Sequence, residues 1–217
     1  DSNWLDAGFI SGSALIVDMR GISGDGSTGW GTASYVGGGS SSFVNINRVM
    51  TGSQNDLLLG SSAHINEVFQ GNLGNDTIDG GAIDPVAQDN NNRVQYSNAL
   101  YAVIVDLAAG TATGGDGNDT LVNINQVLGS AHDDVLLGSD SGLTEHFEGM
   151  GGHDTIDGRG GHDIVRYLGA NYGVVVNLAA GSASGFFAGD LGVDTLISIE
   201  GVIGSTCEDL LLGGEAD

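Results

Sequence analysis

One long pattern is written almost three times along this chain, and that repetition limits the folds open to it more than any composition does. VNINRVMTGSQNDLLLGS begins at Val44, VNINQVLGSAHDDVLLGS at Val122 and ISIEGVIGSTCEDLLLGG at Ile197, offsets of 78 and 75 residues. ALIVDM from Ala14, AVIVDL from Ala102 and GVVVNL from Gly173 recur in step, as do FQGNLGNDTIDGG from Phe69 and FEGMGGHDTIDGR from Phe147. Repeats of such a period stack on their neighbours to bury a shared core, so the 217 residues are expected to form one elongated array. Its units fall at approximately 14–101, 102–172 and 173–217, the last incomplete, and both ends read as cuts within a longer array.

Within each unit the apolar residues alternate over short spans, as in Val103, Val105 and Leu107, and Gly, Asn, Asp or Ser bounds every span. This is the pattern of short strands and turns, and no segment keeps a helical period, so the fold class is all-β. The 39 glycines and single Pro85 suit turns that need positive φ. The polar segment GGAIDPVAQDNNNRV, residues 80–94, is expected to be a surface loop inserted between coils.

The turns carry the chemistry. Written as GGxGxDxUx, with U a large apolar residue, a nine-residue motif is matched at every position by GGDGNDTLV from Gly114. GMGGHDTID from Gly149 and GRGGHDIVR from Gly158 miss only the second glycine, and GNLGNDTID from Gly71 and GDLGVDTLI from Gly189 are close. The position-six carboxylates are therefore Asp76, Asp119, Asp154, Asp163 and Asp194. More degenerate copies keep Asp56, Asp134 and Asp209, and in GGGSSSFVN Ser41 stands where an Asp would fall. Glycines let the first half of the motif curl with its carbonyls inward, the Asp adds a carboxylate, and the last residues extend with U facing the core. If two motifs make one coil of about 18 residues, stacked turns lie about 4.8 Å apart and their oxygens converge. Such adaptable all-oxygen shells suit calcium rather than magnesium or zinc. The expected ligands are those eight Asp residues with the neighbouring glycine carbonyls of Gly71, Gly114, Gly149, Gly151, Gly158 and Gly160.

On these motifs the chain resembles the repeats-in-toxin (RTX, hemolysin-type calcium-binding) repeat family of bacterial secreted proteins. The resemblance implies a right-handed parallel β-roll or β-helix with loop insertions, export by a dedicated secretion system, and folding once the chain meets extracellular calcium. Several turns depart from the motif, and there polar side chains are expected to hold the turn in place of an ion.

Charge agrees. The chain has 28 acidic residues against five arginines and no lysine, for a net charge of −23. Eight stacked carboxylates would repel one another unless cations lay between them. About four to eight calcium ions would leave a net charge between roughly −15 and −7. A surface of this sign disfavours nucleic acid, and no apolar run approaches membrane-spanning length, so neither nucleic-acid binding nor direct membrane insertion is expected.

GDGSTG, residues 24–29, satisfies a dinucleotide-loop pattern but lacks a following helix and reads as a loop. His132, His153 and His162 occupy variable outward turn positions, Cys207 is a turn residue, and the matching Tyr96 and Tyr167 read as packing residues. No catalytic constellation is visible, and a non-enzymatic module is expected, with a structural or adhesive role in a secreted or cell-surface protein. Calcium is its expected partner, with further copies of the chain or surface glycans as candidates. Two alternatives are a self-assembling filament or surface-layer subunit, and a non-catalytic module of a secreted protease, lipase or alginate epimerase.

Overall fold

The computed structural model describes residues 3–7, 12–23, 28–63, 65–82, 91–115, 117–187 and 191–214. Every regular element among them is a strand. Sheet A stacks eight parallel strands in chain order: Trp4–Asp6, Arg48–Met50, Glu67–Gln70, Asn92–Gln95, Gln126–Leu128, Thr144–Glu148, His162–Arg166 and Gly201–Ile203. Sheet B has fourteen strands, and the chain alternates between the two sheets to make a parallel β-roll.

Alternation puts one side chain per rung into the interior. In sheet A the register aligns Val49, Phe69, Val94, Val127, Phe147 and Val165 as one inward row. In sheet B the U residues line up: Leu58 pairs with Ile78, Ile78 with Leu121, Leu136 with Ile156 and Ile156 with Leu196. All these residues are buried and belong to one core cluster. At about 25 cal/mol per Å² of apolar surface, such rows supply most of the drive to stack.

Three antiparallel meanders interrupt the roll, and the repeat pattern alone does not announce them. They are Leu15–Asp18 with Gly31–Tyr35 and Ser40–Phe43; Val103–Asp106 with Thr111–Gly114 and Gly117–Val122; and Val174–Asn177 with Ser182–Gly185 and Val193–Ile197. Each middle strand turns an alanine, Ala33, Ala112 or Ala183, between an inward valine of the first strand and the motif position of the third. The third-strand residues so aligned are Ser41, Asp119 and Asp194, which makes Ser41 the structural counterpart of the two aspartates. Where no meander intervenes, equivalent positions lie 20 residues apart, as for Asp56 and Asp76, or 18 apart, as for Glu145 and Asp163. Meanders lengthen the interval to 43 and 40 residues.

Two expectations are thereby revised. The uniform 18-residue coil holds only where GRGGHD follows directly on its neighbour. The longer halves, GSSAHINEVFQ and GSDSGLTEHFE, are closed by a glutamate: Glu67 accepts from the N–H and hydroxyl of Ser61 at 2.9 and 2.8 Å, and Glu145 accepts the same pair from Ser139 at 2.8 and 2.6 Å. The supposed loop 80–94 ends in a sheet A strand, Asn92–Gln95, which Val94 anchors in the core; its residues 83–90 lie outside the described residues. Most of the GDGSTG loop, residues 24–27, also lies outside them.

Candidate metal-binding turns

Position four of the motif is the one that demands glycine. Gly74, Gly117, Gly152, Gly161 and Gly192 all have φ between 82° and 134°. A Cβ on Gly74, Gly117, Gly161 or Gly192 would strike the carbonyl oxygen of the turn stacked behind it: Gln54, Gly74, Ser141 and Gly152 respectively. Consecutive turns thus press carbonyl oxygens against bare Cα atoms, and this close approach is what makes the stack possible. Position two is also left-handed although it is not glycine: Asn72, Met150 and Arg159 have φ of 59°, 76° and 62°. Gly151 and Gly160, at position three, are half-buried and have no such requirement.

Position one is glycine for a different reason. In the turns of Asp76, Asp134, Asp154, Asp163 and Asp209 the carboxylate folds back over the start of its own turn. A Cβ on Gly71, Gly129, Gly149, Gly158 or Gly204 would collide with the Oδ2 of that aspartate. Gly114 is used otherwise: with Gly117 it closes the hairpin between the second and third meander strands, so the one consensus-perfect motif begins as an antiparallel turn. Gly189, its counterpart before Asp194, lies outside the described residues.

The other carboxylate oxygen builds a ladder. Oδ1 of Asp76 accepts the Asp56 N–H at 2.8 Å, and Oδ1 of Asp119 accepts the Asp76 N–H at 2.9 Å. Asp154 likewise accepts from Asp134 at 2.9 Å and Asp194 from Asp154 at 3.2 Å. Where a meander begins, Asp56, Asp134 and Asp209 accept from Leu15, Val103 and Val174 instead. A looser column runs up sheet A, where Asp163 accepts from Glu145 at 3.3 Å and Glu200 accepts from Asp163 at 2.8 Å. All the motif aspartates are buried except Asp209, which is half-buried.

The second oxygens separate the turns into kinds. Tyr96 donates its hydroxyl to Asp119 Oδ2 at 2.9 Å, and Tyr167 does the same for Asp194. Both tyrosines do pack in the core, and the Asp contact is an additional role that composition and spacing did not reveal. Ser130 satisfies Asp134, its N–H on Oδ2 and its hydroxyl on Oδ1, whereas the Ser205 hydroxyl reaches Asp209 at Oδ1, the oxygen that also accepts from Val174. By contrast Oδ2 of Asp154 and of Asp163 is buried and has no hydrogen-bond partner among the described residues. An orphaned carboxylate oxygen is costly in a low-dielectric site, and a bound cation is one way to repay it.

The electrostatics sharpen this contrast. Burial, joined by repulsion from Asp194, Asp134 and Asp133, pushes the Asp154 carboxyl up to about 8. Burial and then Glu145 push Asp163 to about 7, and burial pushes Asp194 to about 6. Burial also raises Asp119 and Asp134. The ion pairs of Arg20 with Asp18 and Arg159 with Asp106 lie outside the ladder. His153 and His162 are exposed. No group of three or more His, Cys, Asp or Glu side chains converges on a metal position among the described residues. A cation held here would draw largely on backbone carbonyls, an oxygen-only donor set that fits a hard ion such as calcium.

A family model for the RTX calcium-binding nonapeptide repeat matches four copies in this chain, over residues 66–82, 110–122 and 141–171. Those segments hold Asp76, Asp119, Asp154 and Asp163 with their turns. No curated protein matches the chain. The glycine-backed stacked turns, the buried position-six aspartates and the inward U residues coincide with these matches, and the chain thus carries four copies of the RTX calcium-binding nonapeptide repeat.

Proposed function

We propose that the chain is a calcium-dependent folding module with a structural or adhesive role in a secreted or cell-surface protein. The observation that carries this reading is the pair of buried, unpartnered carboxylate oxygens on Asp154 and Asp163, in the one place where two motifs follow directly in tandem. These two aspartates, with Gly149, Gly151, Gly158 and Gly160 around them, are the strongest calcium ligands; Asp76 shares their glycine-backed geometry. Asp119 and Asp194 share their second oxygen with a tyrosine and Ser130 already satisfies that of Asp134, while Asp209 is only half-buried, so these sites bind more weakly. Asp56 takes the Gly52 N–H at a long 3.3 Å and stands between the two groups.

The binding free energy of each ion adds to folding, because the unfolded chain offers no preformed shell. Extracellular modules bind calcium at about 0.1–1 mM, which matches a chain that folds after leaving the cell. The test is a calcium titration of metal-free protein followed by circular dichroism and calorimetry. The expected result is a gain of β signal and melting temperature with four or more ions bound. Identical melting in calcium and in chelator would overturn the reading.

A further inference from the structure

Three of the five arginines in this strongly acidic chain meet on the outer face of sheet A. The register sets Arg48 beside Val68, Val68 beside Arg93 and Arg93 beside Gln126 on successive rungs. Arg166, farther along the stack and in the neighbouring row, reaches back to Gln126 Oε1 at 3.1 Å. Together with Asn66 and Asn91 they line a cleft of about 170 Å³. Val68 lies on this outer face yet is only 4% exposed, in the rung between the long stems of Arg48 and Arg93.

We propose that this cleft binds a tetrahedral oxyanion, a sulfate or phosphate group, between Arg48, Arg93 and Arg166. The Nε atoms of all three guanidiniums are shielded from solvent and have no hydrogen-bond partner among the described residues. Buried donors left unsatisfied on three neighbouring cations are unfavourable in the empty protein, and an anion reverses the sign of both costs. The mutual repulsion is visible on Arg93, whose acidity rises through burial and through Arg48 and Arg166, with Glu148 opposing.

The groups at hand do not neutralise the cleft. The face of Trp4 takes Arg48 at 5.4 Å, and Glu148, held at Oε1 by the Gly169 N–H at 2.7 Å, opposes the repulsion at Arg93 as one carboxylate against three guanidiniums. His146, next in the row after Gln126, is held neutral by burial and by Arg166, with its pKa lowered to about 4. A single guanidinium fork satisfies a planar carboxylate, whereas cations approaching from three rungs match the several oxygens of a tetrahedral dianion. The net charge of −23 repels extended polyanions, so the ligand is a free ion or a single ester group on an otherwise uncharged carrier.

The test is calorimetric titration of calcium-loaded protein with sodium sulfate, acetate and glucose 6-sulfate at constant ionic strength in chloride. We expect saturable sulfate binding, weaker acetate binding, at least a tenfold loss in Arg93→Gln, and no change in Arg20→Gln. Tighter binding of the sugar sulfate identifies a carried ester group, and tighter binding of sulfate identifies the free ion. Arg166→Gln, which truncates a side chain reaching in from the edge, provides the same comparison should Arg93→Gln fail to fold. Sulfate heats indistinguishable from chloride, a preference for acetate, or undiminished binding in a folded Arg93→Gln or Arg166→Gln protein would each overturn the proposal. Circular dichroism in calcium on the same samples separates this outcome from a failure of the calcium reading.

Discussion

At Asp154 the carboxylate makes one good hydrogen bond, to the Asp134 N–H, while its second oxygen is buried without a partner against Gly149. Asp154→Asn keeps the accepting oxygen and removes the charge that burial opposes. In metal-free protein the variant should melt higher, by about 2–4 °C if one kcal/mol is recovered in a domain of this size. In millimolar calcium it should melt lower than the parent if Asp154 is a ligand, since the charge that would hold the ion is gone. Thermal denaturation under both conditions checks this, and a drop of equal size in both would mean that the aspartate serves only the ladder. Met150 offers a cleaner backbone test. A non-glycine residue at φ 76° carries about 1–2 kcal/mol of strain, so Met150→Gly should stabilise the calcium-loaded protein by about 1 kcal/mol in denaturant titration. Arg159→Gly should gain less, since Arg159 also pairs with Asp106 at 2.8 Å.

Among the elements, the U rows, the all-strand class and the positions of the buried aspartates were legible in the sequence because each rests on a local nine-residue pattern. The meanders were not. GGDGNDTLV supplies glycines that a roll turn and a tight hairpin both accept, and only the partner strands decide between them. The Tyr96–Asp119 and Tyr167–Asp194 bonds were hidden for a related reason, since their members lie 23 and 27 residues apart across a meander. Their signal was the recurrence of a tyrosine before each VIVDL or VVVNL strand, which spacing alone assigns only to packing. The bond ties the third meander strand back to the coil beneath it. Tyr167→Phe leaves Asp194 Oδ2 buried without its donor and should cost about 1–3 kcal/mol, measured by denaturant unfolding of metal-free protein. Calcium should recover part of that loss if Asp194 is a ligand, and an equal loss with and without calcium would confine Asp194 to a structural role.

For the whole molecule, fourteen strands in sheet B against eight in sheet A among the described residues make the meander side the longer of the two. Its charge gives a sharper test. In metal-free protein the buried carboxyls of Asp154, Asp163 and Asp194 hold protons up to about 8, 7 and 6, whereas in the unfolded chain they release them near 3.8. The folded state therefore binds more protons across that interval, so its stability is fully present below the unfolded value and is lost as pH rises through the folded ones. Repulsion within a chain of net charge −23 acts in the same direction. Calcium reverses the slope, because its ligands must be deprotonated and acid displaces the ion. Protein stripped of metal and desalted should thus lose melting temperature between pH 5 and 8, while the same protein in millimolar calcium should gain it. Parallel slopes in the two series would show that the buried aspartates neither hold protons in the empty fold nor exchange them for a cation.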